Sequence, residues 1–422
     1  MRGLFLLLLF SVLGLGQPPQ EFFAYLEASA GQARWEEVRA QTGEPGKILE
    51  LRLRSQIWRG FPWEHRVLLI EPQSLVIADV VLLYVTGDPN PGDPLLGLTM
   101  AGLSGLRVAV LNSVPNQPLF GLREDALIAY TFEQYLKTGE SDWPLLFPMA
   151  RSVLSAMDAI SAVLEGQGTR VRGFVVAGAS KRGWTTYLVA AATPERVLGI
   201  IPIVFDFLDF PNQIARQREL FGGPSTMLRD YAARGLTALF EAGAKGARLA
   251  WMVDPYSYRY AYTMPKLVII GSNDPYWASD ATSLYWSGLP EPKLLLVVPN
   301  AGHNVLDIPR VLPSVATFAR AAAQGFELPG VRAEWGWEGK RAVLSVQADQ
   351  PATARLWQAS SPAPDLRQSR WEGQELWETG PVWTVFLTPR ENFIGVFLEL
   401  EFVTALGKLF VSTPIRIVGP SP

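Results

Sequence analysis

The stretch VVAGASKRGWTTYLVAAAT, residues 175–193, carries the reading of the fold. Small apolar residues run into Gly178-Ala179-Ser180, where a buried strand is expected to stop, and a helix is expected to begin near Ser180. The serine then stands on the corner between the two. A serine before a helix is an ordinary N-cap. A nucleophile on that corner additionally needs small flanking residues, because a strained turn brings its backbone close to neighbouring strands. Gly178 meets that need. The downstream glycine of the G-x-S-x-G pattern is displaced, so the chain reads G-A-S-K-R-G with Arg182 where glycine is common. The chemistry survives this departure, since the oxyanion donor is the backbone N–H of the next residue, Lys181.

On both sides of this corner, apolar runs alternate with helical spacing. HRVLLIEP (65–72), VVLLYVTG (80–87) and RVAVLNSVPN (107–116) read as strands rich in Val, Ile and Leu. Residues 124–136 and 143–166 read as helices, the second with Leu154, Met157, Ile160 and Leu164 on one face. VLGIIPIVFD (197–206), KLVIIGSND (266–274) and KLLLVVPNAGH (293–303) continue the strands, and 310–324 is helical again. The alternation predicts a mostly parallel sheet covered by helices on both faces, hence the α/β class.

Reactive groups in such sheets collect in the loops beyond the carboxyl ends of the strands. Those loops carry Ser180, then Asp206 and Asp209, then Asp274, then His303. Serine, acid and histidine in that order is the chain order of an α/β-hydrolase triad. The chain has only two histidines, so the base has almost no alternative. His65, upstream of the serine at the start of an early strand, reads as a structural, partly exposed residue. Asp274 is favoured as the acid over Asp206, although either could cap a turn. The second oxyanion donor is expected in the loop after VVLLYVTG, at Thr86, Gly87 or Asp88.

Residues 207–264 form an insertion between strands and are the lid candidate. Within it, Tyr256, Tyr258, Tyr260 and Tyr262 fall at every second position and would share one face of an extended segment. They either line the substrate cleft or pack in the core. Trp184 and Trp277 carry the same two readings. Lys181 and Arg182 sit where a helix N-terminus disfavours cations, so at least one of them needs a partner. Lys181 and Arg182 are candidates for contact with an anionic substrate or for stabilising the oxyanion beyond the backbone donors, and a solvated or carboxylate-paired position is the alternative.

Composition sets the outer limits. A net charge of −3 gives no electrostatic footprint for nucleic acid. With two histidines, no cysteine and no phosphate-binding loop, neither a metal nor a nucleotide cofactor is expected. MRGLFLLLLFSVLGLG, residues 1–16, has a positive start, an apolar run too short to span a bilayer and small residues at its end. It reads as a signal peptide cleaved before Gln17, so export to the periplasm or the extracellular space is expected, with no stable membrane span. Residues 17–328 are then the hydrolase-like domain, and residues 1–328 are expected to hold the whole catalytic apparatus. From 329 to 422, short strands with turn residues between them predict a small β-sandwich. Its Trp335, Trp337, Trp357, Trp371, Trp377 and Trp383 read as core, with a glycan-contacting face as the functional alternative.

Several longer stretches agree with one family. GASKRGWTT, NQPLFGLREDALIAYTF, WPLLFPMARS, VDPYSYRYAYTMPKLVIIGSNDPYW and VPNAGH together resemble the PhoPQ-activated pathogenicity-related protein family, which also takes in secreted autocrine proliferation repressors of amoebae. The resemblance implies an exported α/β-hydrolase-type domain with nucleophile, acid and base on Ser180, Asp274 and His303. The expected activity is cleavage of an ester or amide in a small molecule or peptide. A binding or signalling protein on a hydrolase scaffold is the alternative.

Overall fold

Nine strands form the central sheet of the computed structural model, which describes residues 17–237, 239–305, 307–377, 381–389 and 391–420. The expected signal segment 1–16 lies outside the described residues. An antiparallel start is built by β1 (Arg34–Gly43), β2 (Gly46–Trp58) and β3 (Phe61–Pro72). Then come β4 (Ile77–Val85), β5 (Leu106–Leu111), β6 (Gly173–Ala179), β7 (Val197–Ile203), β8 (Lys266–Gly271) and β9 (Lys293–Val298). The order across the sheet is β1-β2-β3-β5-β4-β6-β7-β8-β9, and from β5 to β9 every pairing is parallel. The strand order reverses beside β4, whose Val85 pairs with Gly178 of β6. A crevice therefore opens at the carboxyl ends of these two strands. This is an α/β-hydrolase fold. The sheet runs further upstream than the strands read from the sequence, through the hairpin β1–β2, whose first strand is charged and exposed.

Helices α1 (Gln20–Ala28), α3 (Glu124–Thr138), α4 (Leu146–Gly166) and α5 (Lys181–Ala192) pack with one face of the sheet, and α2 (Asp93–Ser104) and α9 (Ile308–Gln324) with the other. Alternation along β6 divides the two cores: Phe174 and Val176 face the first, Val175 and Ala177 the second. Helix α4 is long and apolar enough to cross a membrane, but it is mostly buried inside this fold. Helix α5 is buried from Lys181 to Ala191, in keeping with the apolar or small residues it carries on every side from Gly183 onward. Its two threonines turn their hydroxyls back onto the helix, Thr185 to Lys181 O at 2.9 Å and Thr186 to Arg182 O at 2.8 Å.

Between β7 and β8 lie α6 (Phe210–Phe221), α7 (Arg229–Ala232) and α8 (Gly243–Val253). Asp254 ties the start of this insertion to its end, its carboxylate accepting from the backbone N–H of Asp209, Phe210 and Tyr256.

The C-terminal part contains β10 (Val331–Glu338), β11 (Arg341–Ala348), β12 (Thr353–Ser361), β13 (Glu372–Leu376), β14 (Val382–Leu387), β15 (Phe393–Thr404), β16 (Gly407–Ser412) and β17 (Arg416–Val418). They form two antiparallel sheets, β10-β11-β14 and β13-β12-β15-β16, with β17 on β15. Trp371 and Trp383 are buried, whereas Trp337 is 64% exposed and Trp377 is 84% exposed. On one face of β8 and β9, Val268, Ile270, Leu295 and Val297 pack against Trp357, Trp371 and Phe397 rather than against a helix. The β-rich part thus completes the core of the α/β sheet.

Candidate active site

Ser180 occupies the corner between β6 and α5 with φ +57° and ψ −126°, a region that side-chain-bearing residues rarely adopt. Its N–H donates to Ile203 O at 2.8 Å, and its C=O accepts from Trp184 N at 3.0 Å. The turn is tight enough to require Gly178, where an added Cβ would stand 2.6 Å from Arg182 O. Gly183 takes the second close approach, lying 3.1 Å in the same sense from both Gly178 O and Ile203 O. The displaced glycine of the sequence pattern therefore serves the packing of α5 against the strand ends.

His303, in the loop after β9, accepts or donates at both ring nitrogens. Nε2 lies 2.9 Å from Ser180 Oγ, and Nδ1 lies 2.7 Å from Asp274 Oδ2. Asp274 is buried, and its other oxygen accepts from Tyr276 N at 2.9 Å. With Asp274 accepting a hydrogen bond from Nδ1–H, Nε2 is left facing the serine hydroxyl as an acceptor. The acid loop and the histidine loop approach closely over Gly271, where a Cβ would meet Ala301 O at 2.4 Å. The Tyr276 ring lies against the imidazole with centroids 4.3 Å apart. Burial, then the charges of Asp125 and Asp274, push the Tyr276 hydroxyl up to about 12.

Asp206, the other acid candidate, does not join this chain of bonds. It is buried and accepts from Tyr285 Oη at 2.6 Å and Thr282 Oγ1 at 2.8 Å. Burial pushes its carboxyl up to about 7, against the pull of those two hydrogen bonds. His65 is also buried, in mid-strand rather than at a partly exposed strand end. Its Nε2 lies 2.9 Å from Ser55 Oγ, which lies 3.2 Å from Ser152 Oγ, and its Nδ1 faces Asn112 O. Burial lowers its pKa to about 4. This second serine–histidine cluster has a backbone carbonyl where the first has a carboxylate, and it braces β2 and β3 against α4.

The two cations after the serine have partners in α3. Glu124 accepts from Arg182 through both oxygens, at 2.8 and 2.9 Å, and lies 2.7 Å from Lys181 Nζ. Asp125 lies 3.3 Å from the same ammonium. Burial would raise Glu124, but the Arg182 hydrogen bonds and the two positive charges hold its carboxyl well below the usual range. Arg182 also donates Nε to Val114 O, and its guanidinium packs against Gly87. It therefore belongs to this ion-pair cluster and not to the cleft lining. Of the expected second-donor residues, Thr86 has already given its N–H to Leu111 O at 2.9 Å. Asp88 pairs through its side chain with Arg123.

The cleft over Ser180 is lined by Lys181, Trp184, Phe205, Tyr276 and Trp277, and is roofed by insertion residues including Phe207, Phe210 and Tyr231. Its cavity volume is about 70 Å³. Trp184 stacks on Phe205 with centroids 5.0 Å apart and donates Nε1 to Val253 O, so the wall is fixed. Tyr256 and Tyr258 are not part of it. Residues 255–261 coil into a 3-10 helix, which breaks the expected alternation. Tyr258 is buried beside Phe22 and Phe23, its hydroxyl bonded to Met252 O, and Tyr256 lies under Arg259.

Several known proteins are similar to this chain. Among solved structures, the chain is similar to an acetyl xylan esterase from Paenibacillus sp. R4, with 12% identity, TM-score 0.48 and coverage of 68% of this chain and 90% of that one. An S-formylglutathione hydrolase from Agrobacterium tumefaciens gives 16% identity, TM-score 0.45 and coverage of 69% and 100%. Autocrine proliferation repressor protein A of Dictyostelium discoideum is 36% identical over 297 residues, 65% of this chain and 59% of the relative's length. The family model for PhoPQ-activated pathogenicity-related protein matches residues 22–367, and the chain belongs to that family.

Proposed function

We propose that this chain is an exported serine hydrolase that cleaves an ester or amide bond through an acyl-enzyme on Ser180. The observation that carries the reading is the continuous run of hydrogen bonds from Ser180 Oγ through His303 to Asp274. Ser180 Oγ attacks the acyl carbon while His303 Nε2 takes its proton and passes it to the leaving group. Asp274 holds the ring and stabilises its charged form. The Lys181 N–H, with a second donor from the Gly87–Asp88 turn, binds the oxyanion. Water, deprotonated by the same imidazole, then releases the acid and restores Ser180. The small apolar cleft supports a compact acyl group.

A fluorophosphonate probe tests the reading directly. Covalent labelling is expected at Ser180 and is expected to disappear in Ser180→Ala. A folded parent protein that stays unlabelled would exclude it. That outcome would favour a signalling role without catalysis, for which the proliferation-repressor name of the Dictyostelium relative speaks. Export rests on residues 1–16, and mass analysis of secreted protein should find Gln17 at the N-terminus; intact Met1 would refute it. Exposed Trp337 and Trp377 support glycan contact by the C-terminal part. Unchanged binding of a polysaccharide by Trp377→Ala would count against that contact.

A further inference from the structure

The loops that hold Asp274 and His303 are fastened to the C-terminal β-rich part by one short segment, residues 365–371. Asn273, next to Asp274, donates Nδ2 to Arg367 O at 3.1 Å and to Ser369 O at 2.7 Å. On the other side of Asp274, Pro275 O accepts from Arg367 Nη1 at 3.0 Å. In the histidine loop, Asn300 and Trp371 bond reciprocally, Nδ2 to Trp371 O at 2.9 Å and Trp371 N to Oδ1 at 2.8 Å. The two loops are also joined directly. Ser272 Oγ donates to Asn273 Oδ1 and accepts from Asn300 N at 2.8 Å.

Arg367 is the centre of this joint. Asp365 fixes its guanidinium through Nε at 2.9 Å and Nη2 at 2.7 Å. Its face lies 3.4 Å from the centroid of Phe221, the last residue of α6 in the roof of the cleft. A planar fork with one edge on a carboxylate, a free donor on a carbonyl and a face on an aromatic ring is a geometry lysine does not reproduce. Below it, Trp371 fills the core on β8 and β9, so the segment is anchored as well as bonded.

We propose that Asn273, Asn300 and Arg367 are positioning residues for hydrolysis, and that segment 365–371 sets the distance between the acid and the histidine. The proposal rests on the serine-hydrolase reading of Ser180. It departs from the expectation that residues 1–328 hold the whole apparatus. None of the three touches the serine or the imidazole nitrogens; each acts by holding a loop. A loss of about 1 Å in registration between reacting groups costs on the order of 100-fold in rate, which sets the scale of the effect.

The test uses the full chain carrying Asn273→Ala, Arg367→Ala, Arg367→Lys or Asn300→Gly. Glycine at 300 keeps the left-handed backbone that Asn300 adopts at φ +57°, so that variant removes the two side-chain bonds without adding strain. Fluorophosphonate labelling and p-nitrophenyl acetate turnover are measured beside circular dichroism. Labelling rate and kcat are expected to fall roughly 10- to 100-fold with KM within about twofold of the parent. Arg367→Lys, which keeps a donor for Pro275 O, is expected to fall between the parent and Arg367→Ala. Arg355→Ala, which breaks an exposed ion pair with Glu375 elsewhere in the same part, is expected to change neither. Should an alanine variant unfold, Asn300→Gly and Arg367→Lys still decide. Parental kcat and labelling in all folded variants overturn the positioning role and leave the hydrolase reading intact. A parent that fails to label overturns both.

Discussion

Exchanging the two candidate acids one at a time separates them by opposite effects. Asp274→Asn keeps the shape of the side chain and its contact with Tyr276 N, but places an amide against His303 Nδ1. The 2.7 Å bond then forms only with the ring in the wrong tautomer, with its proton on Nε2 toward the serine. A loss of roughly 10³- to 10⁴-fold in kcat follows, about 4 to 5.5 kcal/mol of transition-state stabilisation. Asp206→Asn should leave kcat within about threefold, because Asp206 bonds to Tyr285 and Thr282 and not to the histidine.

The second effect is on stability. The folded carboxyl of Asp206 is raised to about 7 from an ordinary 3.8, so the folded state binds the extra proton between those values. Its contribution is complete at low pH, falls as pH rises through that window, and is lost above about 7. The full difference is on the order of 4 kcal/mol. Asp206→Asn should therefore flatten the decline of urea stability between about pH 4 and pH 7 and make the protein more stable above it. The assays are burst-phase kinetics with p-nitrophenyl acetate and urea melts across pH. A greater loss of turnover in Asp206→Asn than in Asp274→Asn would refute the acid assignment.

Ser180→Ala and His303→Ala should each lower turnover by roughly 10⁴-fold or more, and the double variant should lose little beyond either, measured by steady-state kinetics. Glu124→Gln removes the charge that Lys181 and Arg182 face. Loss of a buried partner costs about 3 to 5 kcal/mol, but the Glu124 side chain is 42% exposed, so a fall of about 1 to 3 kcal/mol is expected from the urea midpoint at constant slope. Gly178→Ala would press a methyl group onto the backbone of Arg182. It should cost about 1 to 3 kcal/mol and slow fluorophosphonate labelling at least tenfold; parental labelling would show that the turn is looser than described.

Much of the site was legible because its members are sparse or locally marked. With two histidines in the chain, only His303 followed a late strand, and the residues 178–183 announce a strand-to-helix corner by themselves. The apolar strands from 65 to 303 were equally plain, since burial on both faces leaves near-continuous Val, Ile and Leu. The hairpin from Arg34 to Trp58 was less so, because one strand is wholly exposed and carries charged residues. Glu124 and Asp125 were hidden for a different reason. Their role depends on Lys181 and Arg182, more than fifty positions away, and the sequence shows only that those cations need a partner. Tyr256 and Tyr258 misled because a period of two is informative only in an extended backbone, and Pro255 starts a 3-10 helix there. The bonds from Asn273 and Asn300 to the β-rich part run to main-chain atoms, which leave no mark in the side-chain pattern.

The matching of Lys181 and Arg182 by Glu124 and Asp125 also governs how a molecule reaches the serine. Two positive and two negative groups within one cluster form a compact multipole whose field decays quickly with distance, and salt screens what remains beyond about 8 to 10 Å. These four groups therefore add little long-range attraction for ligands of either sign. On the proposed reading, discrimination would then fall to the aromatic walls over Ser180 rather than to the field of this cluster.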